Sequence, residues 1–364
     1  MKVTKRSAML LVNGVLLLIV VVWTIPIVGL LISSVRKSDA IRSSGWWSVL
    51  PHQEQVTGQE RPIPTGQSSD QPITIDGVTK SFQEWKAGVT MPDGSLLTWV
   101  GTVRVGKLVI SQKAWTADTN YTTENYEQVL GGKSFTITDT NGNVTTVPGE
   151  NLVNAFLNSI TVAIPATVIP ILVAAFAAYG FAWMKFPGRR ILFIGIVMML
   201  VVPLQIALVP ILRDYVSLSL NGTFLGIWLA HTGFGLPLAC YLLYNYISTI
   251  PKDILESAFI DGASHYTMFT KLILPLSVPA LASFAIFQFL WVWNDYLVAL
   301  IFIGFGNGEN KVLTMRIADL VGSRGQDWYL LTAAGFISMI VPLAVFFGLQ
   351  RYFVRGLMAG SVKG

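Results

Sequence analysis

The stretch ESAFIDGASHYTMFTKLILP, Glu256 to Pro275, stands between two apolar runs that are each long enough to cross a bilayer. It opens on carboxylates, turns at a glycine and closes on a proline. The wider segment IPKDILESAFIDGAS reads as a short helix: Pro251 suits a first turn, Asp253 and Glu256 put negative charge where the helix dipole favours it, and Gly262 stops it. Ser264 then caps a second short helix, which Pro275 breaks before the next apolar run. Leu255, Ala258, Phe259 and Gly262 share one face at helical spacing, giving an amphipathic piece suited to a membrane surface or to a groove in a partner. A plain connecting loop requires none of these features.

The rest of the chain says what such a segment connects. Of 364 residues, 52% are hydrophobic and only 12% charged, far from a soluble balance. Apolar runs near the ~20 residues that span a hydrocarbon core occur at Ala8–Ser33, Leu152–Met184, Ile191–Leu212, Phe224–Ile247, Val278–Ile303 and Tyr329–Phe353. The sequence therefore predicts an all-α membrane protein with six transmembrane helices. The first run starts with Lys2, Lys5 and Arg6 but is too long for a secretory signal and lacks a small-residue cleavage site, so it reads as a retained anchor. Lys185, Arg189, Arg190, Arg351, Arg355 and Lys363 fall on the same side as the N-terminus. By the positive-inside rule that side is the cytoplasm, which holds both termini and residues 256–275.

Between the first two spans, residues 36–150, the composition switches to Gly, Thr, Ser, Asp and Asn with alternating stretches. Asn141-Gly142 favours a tight hairpin and PDGS at Pro92–Ser95 marks another turn. The segment is expected to be a β-rich insertion outside the membrane, with Trp46, Trp47, Trp85, Trp99 and Trp115 as anchors of its core. Residues 1–35 are then the N-terminal segment and first span, 151–350 the core with its loop at 249–276, and 351–364 a cytoplasmic tail.

Several chemistries are excluded. GGKSF at Gly131–Phe135 resembles the end of a phosphate-binding loop, but the glycine required five positions before Gly132 is Glu127, so no nucleotide site is visible. His52, His231 and His265 are scattered without metal-ligand spacing, and Cys240 is alone inside a span. The net charge of +5 follows the membrane topology, and no basic face for nucleic acid is found.

Glu256-Ser257-Ala258, three residues, Gly262, nine residues and then Leu272-Ile273-Leu274-Pro275 resembles the EAA motif of permease subunits in bacterial ATP-binding-cassette importers, E-A-A-x3-G-x9-I-x-L-P. Ser257 and Leu272 depart mildly from it, and the spacing is intact. WVWNDYLVAL at Trp291–Leu300, AAYGFAWMKFPGRR at Ala177–Arg190 and QRYFVRGLMAGSVKG at Gln350–Gly364 are similar to the smaller permease of maltose-type sugar importers. The insertion after the first span resembles the alpha-glucoside permeases within that family.

The resemblance implies a type I ABC importer permease fold and transport of oligosaccharides of the maltose, trehalose or sucrose type. It implies a loop in which Glu256, Ser257, Ala258, Asp261, Gly262, Leu274 and Pro275 couple to a cytoplasmic ATPase, and a tail, Gly360, Ser361, Val362, Lys363 and Gly364, that reaches the same ATPase. The implied partners are a second permease, two ATPase copies that bind ATP and Mg, an extracytoplasmic sugar-binding protein and membrane lipid, with no cofactor in this chain. Polar residues within the spans, Gln205, His231, Gln288, Asn294 and Asp295, are candidates for a sugar path or equally for bonds between helices. Two rivals stand beside this reading: a membrane-anchored sensor or enzyme working through the insertion, and an ion-coupled secondary transporter. No nucleophile-base pair in the insertion supports the first, and no charged group near mid-membrane supports the second.

Overall fold

A computed structural model describes residues 5–132, 135–138, 144–147, 151–304, 308–324 and 328–361. In chain order the elements are α1 (Lys5–Ser34), α2 (Ser38–Ser43), β1 (His52–Pro62), β2 (Ile73–Ile75), β3 (Val78–Lys80), α3 (Phe82–Ala87), β4 (Val89–Thr90), β5 (Leu96–Gly101), β6 (Gly106–Thr116), α4 (Glu124–Gly131), β7 (Phe135–Thr138) and β8 (Val144–Val147). Helices follow: α5 (Leu152–Trp183), α6 (Arg189–Met198), α7 (Leu204–Ser217), α8 (Phe224–Ile247), α9 (Lys252–Ile260), α10 (His265–Met268), α11 (Leu274–Leu276), α12 (Val278–Asn294), α13 (Leu297–Ile303), α14 (Leu313–Arg324) and α15 (Trp328–Ser361).

Apolar segments in lipid must satisfy their backbone groups internally, which makes helices of them. Among the described residues four helices, α1, α5, α8 and α15, are long and apolar enough to cross a membrane, and the number rises to six if each of two bent pairs is one span. Two expected spans are not straight. The run Ile191–Leu212 divides into α6 and α7, which meet at 106°. Pro203 explains the break, because it lacks an N–H and biases Val202 out of the helical region. The run Val278–Ile303 breaks between α12 and α13, where the Asp295 carboxylate accepts the Val298 and Ala299 N–H groups at 3.3 and 3.0 Å and so starts a new helix.

Helix α5 packs on α8 and α12, α12 packs on α15, and α15 packs on α1 and α4. Ala163, Ala166, Ala174, Ala175 and Ala178 are all buried on α5, a row of small side chains that lets the neighbouring helices approach closely. One cluster, with Val162, Ile227, Trp293, Leu313 and Ala333, joins α5, α8, α12, α14 and α15. A second, with Ala174, Leu243, Ile247, Leu255, Phe269 and Phe284, lies where α5 and α8 meet the segment 249–276.

The chain divides into two compact units, Asp39–Tyr121 and the remainder. The first is shorter than the insertion expected at 36–150, because Asn125 and Val129 of α4 are buried in the helical unit. There the Asn125 amide donates to the carbonyls of Ser34 and Arg36, both at 2.8 Å, and the Thr122 N–H donates to Val35 at 2.7 Å. Unit 39–121 holds an antiparallel sheet of order β1-β6-β5-β4 and a separate β2-β3 hairpin. The Pro92–Ser95 turn forms as expected: Gly94 has φ +82°, and Asp93 accepts the Ser95 N–H at 2.9 Å. Strands β7 and β8 pair antiparallel, while Asn141-Gly142 and Lys133-Ser134 lie outside the described residues. Only Trp85 and Trp99 of the five tryptophans enter the core, with Ile73, Leu97 and Leu108, whereas Trp47 and Trp115 are exposed and Trp46 is half-buried. Their indoles donate to the Ile73 and Thr102 carbonyls at 3.0 Å, which satisfies the one polar atom each buries.

Candidate functional site

Residues 249–276 fold as two short helices at a sharp turn. Pro251 stands at the N-cap of α9. At the other end Gly262 adopts φ +81°, its N–H donates to Phe259 at 3.0 Å, and the Ala263 N–H reaches back to Ala258 at 2.9 Å. This closing pattern needs a left-handed residue, so glycine is the residue it requires. Ser264 caps α10 through the Thr267 N–H at 3.2 Å.

Pro275 does not break the second helix as expected. Helical backbone continues through a π-turn at Phe269–Ile273 into α11, and the 71° bend onto α12 falls at Ser277. Pro275 stands directly after the π-turn, within continuous helical backbone.

The segment is bolted to the helices beneath it. Leu255, Met268, Phe269 and Ile273 are buried against α5 and α8, and the Phe269 ring stacks on Phe176 at 4.2 Å. Tyr179 on α5 hydrogen-bonds His265 Nδ1 at 2.8 Å, and the Tyr246 hydroxyl on α8 donates to the Leu276 carbonyl at 3.1 Å. His265 had no assigned part in the sequence, since its partner lies on a distant helix and no spacing rule points to it. Of the residues expected to couple, Glu256, Ser257, Asp261, Gly262 and Pro275 are exposed, while Ala258 and Leu274 are half-buried. The outer surface is also apolar. Ile260 is 87% and Tyr266 72% exposed, and Phe259, expected to share a face with Leu255, is exposed with its ring edge-on to His265 while Leu255 is buried.

The polar residues of the spans separate into two groups. Gln288 is buried, and its amide donates to the carbonyls of Ala166 at 3.1 Å and His231 at 3.4 Å, linking α12 to α5 and α8. His231 is buried with Nε2 3.8 Å from Asp295 Oδ2 and its ring edge-on to Trp291. Gln205 and Asn294 are exposed, and the Asn294 amide folds back onto the Leu290 carbonyl at 2.8 Å. A cleft of about 520 Å³ lies in the elbow of α6 and α7, lined by Met199, Leu204, Ile211, Phe234, Pro237 and Trp291. In the tail, Gly360 and Ser361 end α15, and Val362, Lys363 and Gly364 lie outside the described residues.

Comparison with known proteins agrees with this arrangement. Residues 155–358 match the family model described as binding-protein-dependent transport system inner membrane component. The chain is 48% identical to the osmoprotective compounds uptake permease protein GgtD of Synechocystis sp., over 96% of this chain and 90% of that protein. It is 46% identical to the alpha-glucoside transport system permease protein AglG of Rhizobium meliloti, over 96% of this chain and 95% of that one. A crystal structure of a bacterial ABC transporter involved in import of the polysaccharide alginate shares the fold, with a TM-score of 0.60 over 96% of this chain and 98% of that one at 17% identity. With apolar helices, an EAA segment and this match over more than half its length, the chain belongs to the binding-protein-dependent transport system inner membrane components, the non-catalytic, multi-pass inner-membrane permease subunits of ABC importers.

Proposed function

We propose that this chain is a permease subunit of an ATP-driven importer of alpha-glucoside oligosaccharides, of the maltose, trehalose or sucrose type. The observation that carries the mechanism is the α9–Gly262–α10 segment: rigidly packed on its inner side, it leaves Glu256, Ile260 and Tyr266 bare on its outer side. A rigid element with an uncovered apolar and acidic surface suits transmission of force from a cytoplasmic ATPase. The names of the relatives support the substrate class.

In this reading α6 with α7 is one span and α12 with α13 another, giving six with α1, α5, α8 and α15, both termini are cytoplasmic and the insertion is outside. A second permease completes the pathway, two ATPase copies hold ATP and Mg, and an external sugar-binding protein delivers the substrate. Glu256, Ser257, Ala258, Asp261, Gly262, Leu274 and Pro275 form the coupling surface, and the tail from Gly360 to Gly364 reaches the same ATPase pair. Gln205 and Asn294 face outward from the chain's own core and suit a sugar path at the junction with the second permease. His231, Gln288 and Asp295 suit holding the helices that frame it. The comparisons lend no support to a sensor, an enzyme or an ion-coupled carrier.

The test is receptor-stimulated ATP hydrolysis and sugar uptake in proteoliposomes. Gly262→Val forces a β-branched residue to φ +81°, and Glu256→Lys reverses a charge on the outer surface. Both variants are expected to assemble yet lose stimulation. Normal stimulation and uptake in both would remove the segment from the mechanism, and uptake that follows an ion gradient instead of ATP would overturn the importer itself.

A further inference from the structure

Unit 39–121 contains six Trp and Tyr residues, and their distribution is uneven. Trp85 and Trp99 fill its core, while Trp46, Trp47, Trp115 and Tyr121 all fall in the two stretches where the chain enters and leaves the unit. Trp115 is 71% and Trp47 62% exposed, and Leu50 and Tyr121 are exposed beside them. The two stretches that carry these residues lie side by side. The Asp118 N–H donates to the Ser48 carbonyl at 2.9 Å, and His52 and Gln53 pair with Thr116 and Trp115 across β1 and β6. Strand β5 leaves β6 at Ser111, so Trp115 stands on a two-stranded ribbon beyond the edge of the sheet.

Exposed indoles on a small domain call for an occupant, and chain geometry says which. Three residues separate Asp118 from Thr122, so the four steps of chain between them reach at most about 14 Å when extended. Thr122 is bonded to Val35 at 2.7 Å, at the end of apolar α1, and Asn125 fixes the same place through Ser34 and Arg36. The aromatic patch is thus leashed to the point where a membrane helix ends. Tryptophan and tyrosine, apolar in body and polar at one edge, are the side chains that settle in the headgroup layer. Lys113, two residues from Trp115 and on the same face of the ribbon, adds an exposed cation suited to lipid phosphate.

We propose that the root of the insertion is a lipid-binding surface, with Trp47, Leu50, Trp115 and Tyr121 seated in the headgroup layer of the outer leaflet. The inference rests on the topology proposed above, and the experiment separates the two. In a Cys240→Ala background, Leu50→Cys and Val105→Cys are each introduced, Val105 lying in the β5–β6 turn at the other end of the ribbon. The assembled complex in vesicles containing anionic phospholipid is spin-labelled, and collision with oxygen, which partitions into lipid, is compared with collision with a water-soluble nickel chelate. The Leu50 label is expected to favour oxygen and the Val105 label the chelate, and Trp47→Ala with Trp115→Ala is expected to shift the Leu50 label toward the chelate. A Leu50 label as open to the chelate as that at Val105 would overturn the proposal. So would a Leu50 label shielded from both reagents, which would mean that a protein partner covers the patch. Reaction of Val105→Cys with a membrane-impermeant maleimide in right-side-out vesicles tests the topology separately. Failure to react there would overturn the topology and the lipid surface with it.

Discussion

Gly235 on α8 lies so close to Gln288 that a Cβ built there would stand 2.5 Å from Oε1 and 2.6 Å from Nε2. Gly235→Ala is therefore expected to push the amide off the Ala166 and His231 carbonyls and to cost about 1–3 kcal/mol, read as a lower thermal midpoint of the purified complex. Adding Gln288→Ala should recover part of that loss. A midpoint unmoved by Gly235→Ala would show that Gln288 swings aside freely and holds no helices together. A second residue gives a pH dependence. The Glu84 carboxyl is held down to about 2 from 4.5, first by the Ser81 backbone N–H and then by the Lys80 ammonium and the Ser81 hydroxyl. A depressed carboxylate stabilises the fold above its unfolded value and loses that contribution as pH falls through the folded one. The stability gap between wild type and Glu84→Gln in unit 39–121 should thus be open at neutral pH and close on acidification from 4.5 toward 2. A gap independent of pH would assign the effect to packing alone.

Helices α9 and α10 behave as one element because buried Leu255, Met268 and Phe269 fasten both to α5 and α8. Leu255→Ala should cost about 2–5 kcal/mol and loosen the segment. Ile260→Asp leaves the fold intact but removes an apolar outer contact, and a loss of about 2 kcal/mol there would weaken ATPase binding roughly 30-fold in a pull-down titration. Equal binding by the Ile260 variant would place the docking surface elsewhere. Both helix ends were readable from Gly262 and Ser264, since capping is local chemistry written in adjacent residues. The anchoring by Tyr179 and His265 was not, because a contact 86 residues apart leaves no periodic trace. The elbow at Pro203 and the break at Asp295 were also hidden inside hydropathy windows, which average over the single residue that interrupts a helix. For the same reason Asp295 stood among the polar residues expected to serve a sugar path or bonds between helices, with no sign that its carboxylate caps α13. The sorting of five tryptophans into two core residues and three at the root depends on strand register, which composition does not carry.

At the scale of the whole molecule, unit 39–121 has a core of its own in Ile73, Trp85, Leu97, Trp99 and Leu108. Its outer surface carries Glu60, Arg61, Asp70, Asp76 and Lys80, a mixed set suited to reversible contact with the sugar receptor. Replacing residues 39–121 with a short flexible joint is expected to leave assembly normal while raising the receptor concentration needed for half-maximal uptake, more so at high salt. Failed assembly would point instead to bracing of the neighbouring permease. The bond from Asn125 to Ser34 spans 91 residues, and it has a consequence for biosynthesis. A ribosome adding about 5–20 residues per second leaves the end of α1 without its clamp for several seconds after that helix has emerged. In the topology proposed above, the intervening unit crosses the membrane during that interval, ahead of the stretch that brings Asn125 to Ser34. An insertion that fails to fold is then expected to leave the Ser34 and Arg36 carbonyls without the Asn125 amide, so that a fault in the inserted unit is felt at the end of α1.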